Sequence, residues 1–135
     1  MTLIIQPLKN ALLSLANGLA RAAQNNQDLE VRDGCIQRFE YSYELSIKFI
    51  KRYLEQESAI TEKIDQLNFR DLLRIAGEIG LIQQVPLWFT FREARNNTSH
   101  AYNESKAKEV FLIIPVFLNE AEFLVAELQK RINKG

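Results

Sequence analysis

Cysteine and histidine are almost missing from this chain of 135 residues, which has one of each, Cys35 and His100. A lone cysteine excludes a disulfide within the chain and favours a reducing, cytoplasmic compartment. A zinc site needs three or four ligands that converge on the ion, and a chain with one His and one Cys offers too few nitrogen and sulfur ligands. We therefore expect no metal site in this chain.

Excess charge and long hydrophobic runs are also lacking. The 17 Lys and Arg balance the 17 Asp and Glu, and because the signs alternate along the sequence no basic stripe marks a nucleic-acid surface. The longest apolar run, residues 110–118, contains Pro115 and falls far short of the roughly 20 residues that span a bilayer. We expect a protein with no membrane span.

Paired aspartates and phosphate-binding glycine loops are absent from the sequence. Nucleotidyl transfer usually needs two aspartates that hold magnesium, but the aspartates here are scattered and form no Asp-x-Asp pair. The chain by itself is therefore not an ordinary nucleotidyltransferase.

What is present is an ordinary globular composition, with 47% hydrophobic and 25% charged residues. A chain of this length buries roughly two-thirds of its unfolded surface, enough for a core without disulfides. We expect one domain over residues 1–135.

Apolar residues recur at steps of three and four, the spacing of one helix face. A first helix is predicted from Pro7 to about Ala22, with a polar connection at 24–28. The pair Asp33-Gly34 is interpreted as a further break, so the second helix is predicted to restart near Asp33 and to reach Leu54.

The rest of the chain is also predicted to be helical. Asn68, three residues before Asp71, resembles an N-cap, and Gly80 is well placed to end that helix. A helix is expected to resume at Pro86, and a long final helix follows Asn103. Strand patterns are nearly absent, so we predict an all-α, antiparallel up-and-down four-helix bundle with the third helix split near Pro86 and a kink near Pro115.

One segment, residues 92–102, concentrates groups suited to phosphodiester chemistry: two arginines, the histidine and a tyrosine. An imidazole can move a proton to or from a ribose 2′-hydroxyl, and a guanidinium can neutralise charge on phosphate oxygens, with no metal required. On a straight helix Arg95 and His100 would diverge by about 140°. The helix must therefore end between them if both are to face one cleft.

The alternative is an ordinary helix connection that happens to carry a surface Arg, a loop His and a capping Tyr. Spacing alone favours this alternative, because an Arg with a His five residues later arises often by chance.

The segment resembles the Arg-x-x-x-x-His-x-Tyr signature of the HEPN superfamily, with Arg95, Asn96, His100 and Tyr102 at the matching positions. Three further stretches resemble one branch of it, the nucleotidyltransferase substrate-binding proteins: residues 31–45 (VRDGCIQRFEYSYEL), 51–55 (KRYLE) and 69–81 (FRDLLRIAGEIGL). The resemblance covers nearly the whole chain.

This resemblance implies a helical bundle that forms a homodimer and pairs with a separately encoded minimal nucleotidyltransferase, giving a heterotetramer. The partner would supply the missing aspartates together with ATP and magnesium, and no cofactor is expected in this chain. In the wider family such pairs act as toxin and antitoxin. Tyr102 would then be the residue modified with adenylate.

Two functions stay open. In the first, the chain is a non-catalytic subunit that binds a nucleotide or substrate for its partner, with Arg92, Arg95, Asn96 and His100 as contacts. In the second, Arg95 and His100 form the catalytic pair of a metal-independent endoribonuclease that the partner neutralises.

Two other pairs of charged residues have surface interpretations. Glu40 and Glu44 are interpreted as part of a solvated ion-pair ladder with Lys48 and Lys51. Arg70 and Arg74 lie on one helical face, where they serve either as a phosphate contact or as plain surface residues.

Overall fold

The computed structural model describes residues 3–57 and 59–134, which form five α-helices and no strand. The helices are α1 (Gln6–Gln24), α2 (Leu29–Gln56), α3 (Phe69–Glu78), α4 (Val85–Asn97) and α5 (Glu104–Lys134). Single 3₁₀ turns lie at Ile64–Gln66 and Thr98–His100. The all-α class is confirmed, whereas the up-and-down arrangement stays a prediction. No helix in the described part is long and apolar enough to cross a membrane.

Helix α2 begins earlier than predicted, at Leu29 instead of near Asp33. The Asp28 carboxylate accepts hydrogen bonds from the backbone N–H groups of Glu30 and Val31, at 2.9 and 3.2 Å. This cap starts the helix, and Asp33-Gly34 lies inside it. The prediction of a break at Asp33-Gly34 was wrong because a strong N-cap upstream outweighs one helix-interior glycine, which costs only about 1 kcal/mol.

The boundaries of α3 and α4 follow the predicted signals. The Asn68 side chain accepts from the backbone N–H of Asp71 at 2.8 Å and so caps α3. Gly80, with φ at +77°, follows the end of that helix in the left-handed conformation that glycine adopts at least cost. Helix α4 starts at Val85 with Pro86 in its first turn, so the split of the third predicted helix is confirmed.

Helix α5 continues through Pro115, which therefore does not end it. Proline removes one backbone donor, but Ile114 and Phe117 beside it are buried and hold the helix against the core. The predicted kink at this position stays a prediction.

The core is built around Phe117 of α5. Its ring packs edge-on against Phe39 of α2 and Phe91 of α4, with centroids 5.1 and 5.3 Å apart, and also contacts Trp88 at 6.1 Å. Edge-to-face geometry is favourable for aromatic pairs. This cluster fixes α2, α4 and α5 relative to one another, and these helices and the α4–α5 connection carry the candidate site.

Contacts near the helix ends show how α2 and α5 run. Arg32, near the start of α2, donates to Glu104 at the start of α5 at 2.6 Å. Arg131, near the end of α5, donates to the Tyr53 hydroxyl at 3.4 Å, and Tyr53 lies in the last turns of α2. The two helices therefore run in the same direction.

Candidate functional site

The end of α4 determines how the site is arranged. The helix ends at Asn97, with Arg95 in its last turn, and the 3₁₀ turn Thr98–His100 follows at once. The predicted helix end between Arg95 and His100 is therefore present. The backbone between Arg95 and His100 passes from α-helical to 3₁₀ geometry, so the two residues do not lie on one straight α-helix.

The Arg95 guanidinium is held by two glutamates of α2. Glu44 Oε1 accepts hydrogen bonds from both Nε, at 2.9 Å, and Nη2. Glu40 Oε2 lies 3.6 Å from Nη1. Since only 28% of the Arg95 side chain is exposed, these ion pairs are better shielded from water than those of a free surface arginine.

Thr98 links the same three residues. Its hydroxyl oxygen accepts from Arg95 Nη1 at 3.2 Å. It also lies 2.6 Å from Glu40 Oε2 and 2.7 Å from the Arg95 carbonyl oxygen, and its proton goes to one of these acceptors. The first residue after α4 thus connects the end of the helix to α2.

The guanidinium keeps donor capacity for a ligand. It has five N–H donors in a planar fork. The hydrogen bonds to Glu44 and Thr98 use three of them. In the described residues two N–H groups make no hydrogen bond, one on Nη1, near Glu40, and one on Nη2. Two is the number that a bidentate contact with one phosphate requires.

His100 is the last residue of the 3₁₀ turn, Tyr102 follows two residues later, and both are exposed to solvent. Their ring centroids are 6.2 Å apart in an edge-to-face arrangement. Tyr102 is 86% exposed, the highest value among the large hydrophobic side chains of the described chain. A reacting molecule can therefore reach both the imidazole and the phenol without any rearrangement of the core.

Arg92 and Asn96 do not join the Arg95 network. The Arg92 guanidinium lies over the Phe69 ring of α3, 4.4 Å from its centroid. Asn96 is exposed, and its backbone carbonyl accepts from the Ser99 hydroxyl at 3.1 Å. The structure thus places Arg92 beside the site and leaves the Asn96 side chain at its surface.

Glu40 and Glu44 are functional candidates that the sequence analysis assigned to another role. In the described chain they form ion pairs with Arg95 and not with Lys48 or Lys51. The ladder interpretation was therefore wrong, because contact between α2 and α4 outweighs neighbours on one helix. One available signal was that the two carboxylates lie one turn apart on the same helix.

Tyr43 lies in the core below this network, where its ring contacts Phe39 and Phe117. Burial raises the pKa of its phenol to about 12, against the opposing effect of the positive charges on Arg92 and Arg95. The phenol therefore stays neutral at physiological pH. Both arginines are close enough to Tyr43 to act on it electrostatically.

A cleft of about 290 Å³ lies between α2 and the α4–α5 connection. Its lining residues come from these two parts of the chain: Asp33, Ile36, Gln37, Glu40, Thr98, Ala101 and Tyr102. It provides a ligand space next to Tyr102. Within residues 3–57 and 59–134, no three His, Cys, Asp or Glu side chains come together as metal ligands.

The described chain is helical and presents an anchored Arg95, an exposed His100 and an exposed Tyr102 after the end of one helix. The sequence matches the family described as nucleotidyltransferase substrate binding protein like over residues 3–130. The chain belongs to this family.

Similar proteins carry two different descriptions. A protein of Haemophilus influenzae named probable ribonuclease HepT is 44% identical over 98 residues, which cover 73% of this chain and 67% of that protein. A solved structure from the same organism, described as revealing the fold of a substrate-binding domain of a nucleotidyltransferase, is 36% identical with a TM-score of 0.87 and covers 93% of this chain and 99% of its own. A structure from Thermus thermophilus is 27% identical with a TM-score of 0.76, covering 90% and 98%.

Proposed function

We propose that this protein is a metal-independent endoribonuclease whose catalytic pair is Arg95 and His100. The observation that carries the proposal is the fixed position of the Arg95 guanidinium, which Glu44 and Thr98 hold by hydrogen bonds. In the described residues two of its N–H donors make no hydrogen bond, and the exposed imidazole of His100 follows in the next turn. The 44% identical relative named as a probable ribonuclease supports it.

The chemistry needs one base, one acid and one anion-stabilising group. An imidazole takes the proton from a ribose 2′-hydroxyl, and the 2′ oxygen attacks phosphorus. The bond from phosphorus to the 5′ oxygen breaks, and a protonated imidazole donates its proton to that leaving oxygen. The products are a 2′,3′-cyclic phosphate and a 5′-hydroxyl. Arg95 stabilises the charge that grows on the phosphate oxygens.

Two imidazoles require two copies of the chain, since each copy has one histidine. The proposal therefore includes a homodimer whose cleft forms where the two copies meet. Two exposed apolar side chains on one side of α5 support a contact surface between copies: Leu112 is 76% exposed, and Val116 lies one turn later. The helix directions set by Arg32–Glu104 and Arg131–Tyr53 agree with the up-and-down bundle included in this proposal.

A second function is favoured by the exposure of Tyr102. In it, the chain is the substrate-binding subunit of a complex with a separately encoded nucleotidyltransferase, as a heterotetramer. That partner would bring ATP and magnesium and would transfer adenylate to the Tyr102 hydroxyl, with Arg95 and His100 as ligand contacts. The relative described as a substrate-binding domain supports this second candidate.

The test is cleavage of total RNA by the purified protein in EDTA, which inactivates contaminating metal-dependent nucleases. The wild type is compared with His100→Ala and with Arg21→Gln, an exposed arginine in the last turn of α1. We expect cleavage by the wild type and the Arg21 variant and none by the His100 variant. Cleavage that persists in His100→Ala, or absence of cleavage in all three proteins, would reject the ribonuclease.

The second candidate is tested by adding the nucleotidyltransferase encoded beside this chain, with ATP and magnesium. Mass spectrometry then looks for an adenylate group on the wild type that is missing from Tyr102→Phe. If the complex forms but Tyr102 carries no adenylate, the role of this chain in the complex would be to bind the nucleotidyltransferase and not to accept adenylate.

A further inference from the structure

Two phenylalanines in contact, each with an arginine over its ring, form a row on α3 and α4, outside the Arg95 network. The Arg92 guanidinium carbon is 4.4 Å from the centroid of the Phe69 ring. Phe69 contacts Phe89 edge-on at 5.7 Å, and the Arg70 guanidinium carbon is 5.6 Å from the centroid of Phe89. We call these four residues the Arg-Phe row.

The two arginines of the row keep their full charge. Other arginines on the same two helices are paired: Arg74 with Asp71 and Glu78, and Arg95 with Glu40 and Glu44. Within the described residues, no carboxylate forms an ion pair with Arg70 or Arg92. A phenylalanine ring attracts a guanidinium through its quadrupole but has no net charge, so it positions the cation without neutralising it.

The row is exposed and already ordered. Arg70 and Arg92 are exposed, and the two rings are half-buried against the core cluster. Because the rings hold the guanidinium groups in place, part of the entropy cost of ordering them is met before a ligand arrives. Glu93, next in sequence to Arg92, lines a different groove between α4 and α5, so its carboxylate does not belong to this surface.

The row also leads to the candidate site. Arg92 and Arg95 lie one turn apart on α4, and both act electrostatically on Tyr43. A ligand with a negative charge at regular intervals can therefore contact the row and the Arg95 guanidinium together.

We propose that the Arg-Phe row is a binding surface for single-stranded RNA that guides the strand to Arg95 and His100. Fixed, unneutralised guanidinium groups suit the phosphates of such a strand, and half-exposed rings suit unstacked bases. This inference rests on the proposed ribonuclease function and deepens it, by assigning its substrate as a single strand and by adding Arg70, Phe69 and Phe89 to the binding surface.

The test measures binding, not cleavage, so that it is independent of the catalytic proposal. A short fluorescein-labelled single-stranded oligoribonucleotide is titrated with protein carrying His100→Ala, to keep the RNA intact, and fluorescence anisotropy is followed at several salt concentrations. Arg70→Gln, Arg92→Gln and the double variant are compared with Arg21→Gln, which removes the same charge elsewhere. Arg21 lines a groove formed only by residues of α1, of α2 and of the connection between them, so it lies away from α3 and α4.

We expect each row variant to bind the oligonucleotide up to about fivefold more weakly, as for one exposed charge interaction. The salt dependence of the double variant should weaken by roughly 0.7 in log-log slope for each phosphate that the protein no longer neutralises. Arg21→Gln should bind like its parent. Arg70→Lys and Arg92→Lys keep the charge and should retain most of the salt dependence, which separates a missing charge from a failure to fold.

Equal affinity in the row variants and in Arg21→Gln would overturn the inference, and so would a parent protein that does not bind the oligonucleotide. If the row variants bind the oligonucleotide more weakly but the wild type does not cleave RNA, the ribonuclease proposal is rejected and the RNA-binding surface is supported. Tighter binding of a duplex of the same sequence would overturn the single-strand assignment.

Discussion

Glu44 and Arg95 are 51 residues apart in sequence, yet one carboxylate oxygen of Glu44 accepts hydrogen bonds from both Nε and Nη2 of Arg95. This contact joins the middle of α2 to the last turn of α4 and fixes the Arg95 guanidinium there. It makes Glu44 a positioning residue for the site, acting through Arg95.

The first prediction concerns this contact. Glu44→Ala removes both hydrogen bonds to the guanidinium, so kcat for RNA cleavage should fall about tenfold, which corresponds to roughly 1.4 kcal/mol of lost positioning. Glu44→Gln keeps an oxygen acceptor and should retain most of the activity. Glu55→Ala, an exposed carboxylate on the same helix, is the control. Steady-state kinetics would contradict the role if Glu44→Ala cleaves RNA at the rate of the control.

The second prediction concerns alkaline pH. The pKa of Tyr43 is about 12 in the folded protein because of burial, against about 10 in an unfolded chain. As pH rises from 10 to 12 the unfolded state loses this proton first, so the folded state loses stability, by about 3 kcal/mol at most. Below pH 10 the phenol is neutral in both states and has no such effect.

Urea denaturation at a series of pH values up to 11 checks the Tyr43 prediction. The alkaline fall in the free energy of unfolding should be shallower in Tyr43→Phe than in the wild type. Identical slopes for the two proteins would mean that another group titrates in this range.

The third prediction uses two glycines with opposite expected effects. Gly80 has φ at +77°, so Gly80→Ala should cost about 1 kcal/mol of stability. Gly34 lies inside α2, and a methyl group added there would meet no other atom within 4 Å, so Gly34→Ala should add up to about 1 kcal/mol through helix propensity. In thermal denaturation, Gly80→Ala should lower the melting temperature and Gly34→Ala should raise it. Shifts of the same sign would contradict this prediction.

The fourth prediction concerns the aromatic core. Phe117 is fully buried against Phe39, Phe91 and Trp88, so Phe117→Ala should destabilise the protein by about 3–5 kcal/mol. Glu122→Ala, an exposed position on the same helix, should change stability by less than about 0.5 kcal/mol. Chemical denaturation measures both, and a loss of under about 1 kcal/mol for Phe117→Ala would show that the core can close around the cavity.

The fifth prediction concerns the single thiol. Cys35 is buried, and burial raises its pKa against the opposing charge of Arg38. Since the thiolate is the reactive form, iodoacetamide should modify Cys35 slowly in the folded protein and readily in urea. Mass spectrometry follows the modification. Equal rates in both conditions would show that α1 and α2 separate often in the native state.

Much of the fold was predictable because its signals are local. Asn68 and Gly80 are recognisable from sequence, since a cap needs one side-chain oxygen and a left-handed end needs a missing Cβ. The start of α2 was misplaced because Asp33-Gly34 resembles a break, and only the finished helix shows that the Asp28 carboxylate contacts its free N–H groups.

The candidate site was predictable in part. The sequence by itself determined the all-α class, the segment that holds Arg95, His100 and Tyr102, and the family. Helical periodicity, capping residues and a short motif each involve only residues that are close in sequence, so a single sequence is enough to detect them.

Only the tertiary structure decided the partners of these residues. It paired Arg95 with Glu40 and Glu44, placed Arg92 and Arg70 on phenylalanine rings, and left Tyr102 exposed. Each of these facts depends on how two helices face each other. The buried cluster around Phe117 determines how the helices face each other, because close packing of the core fixes the rotation of each helix and its position along its axis.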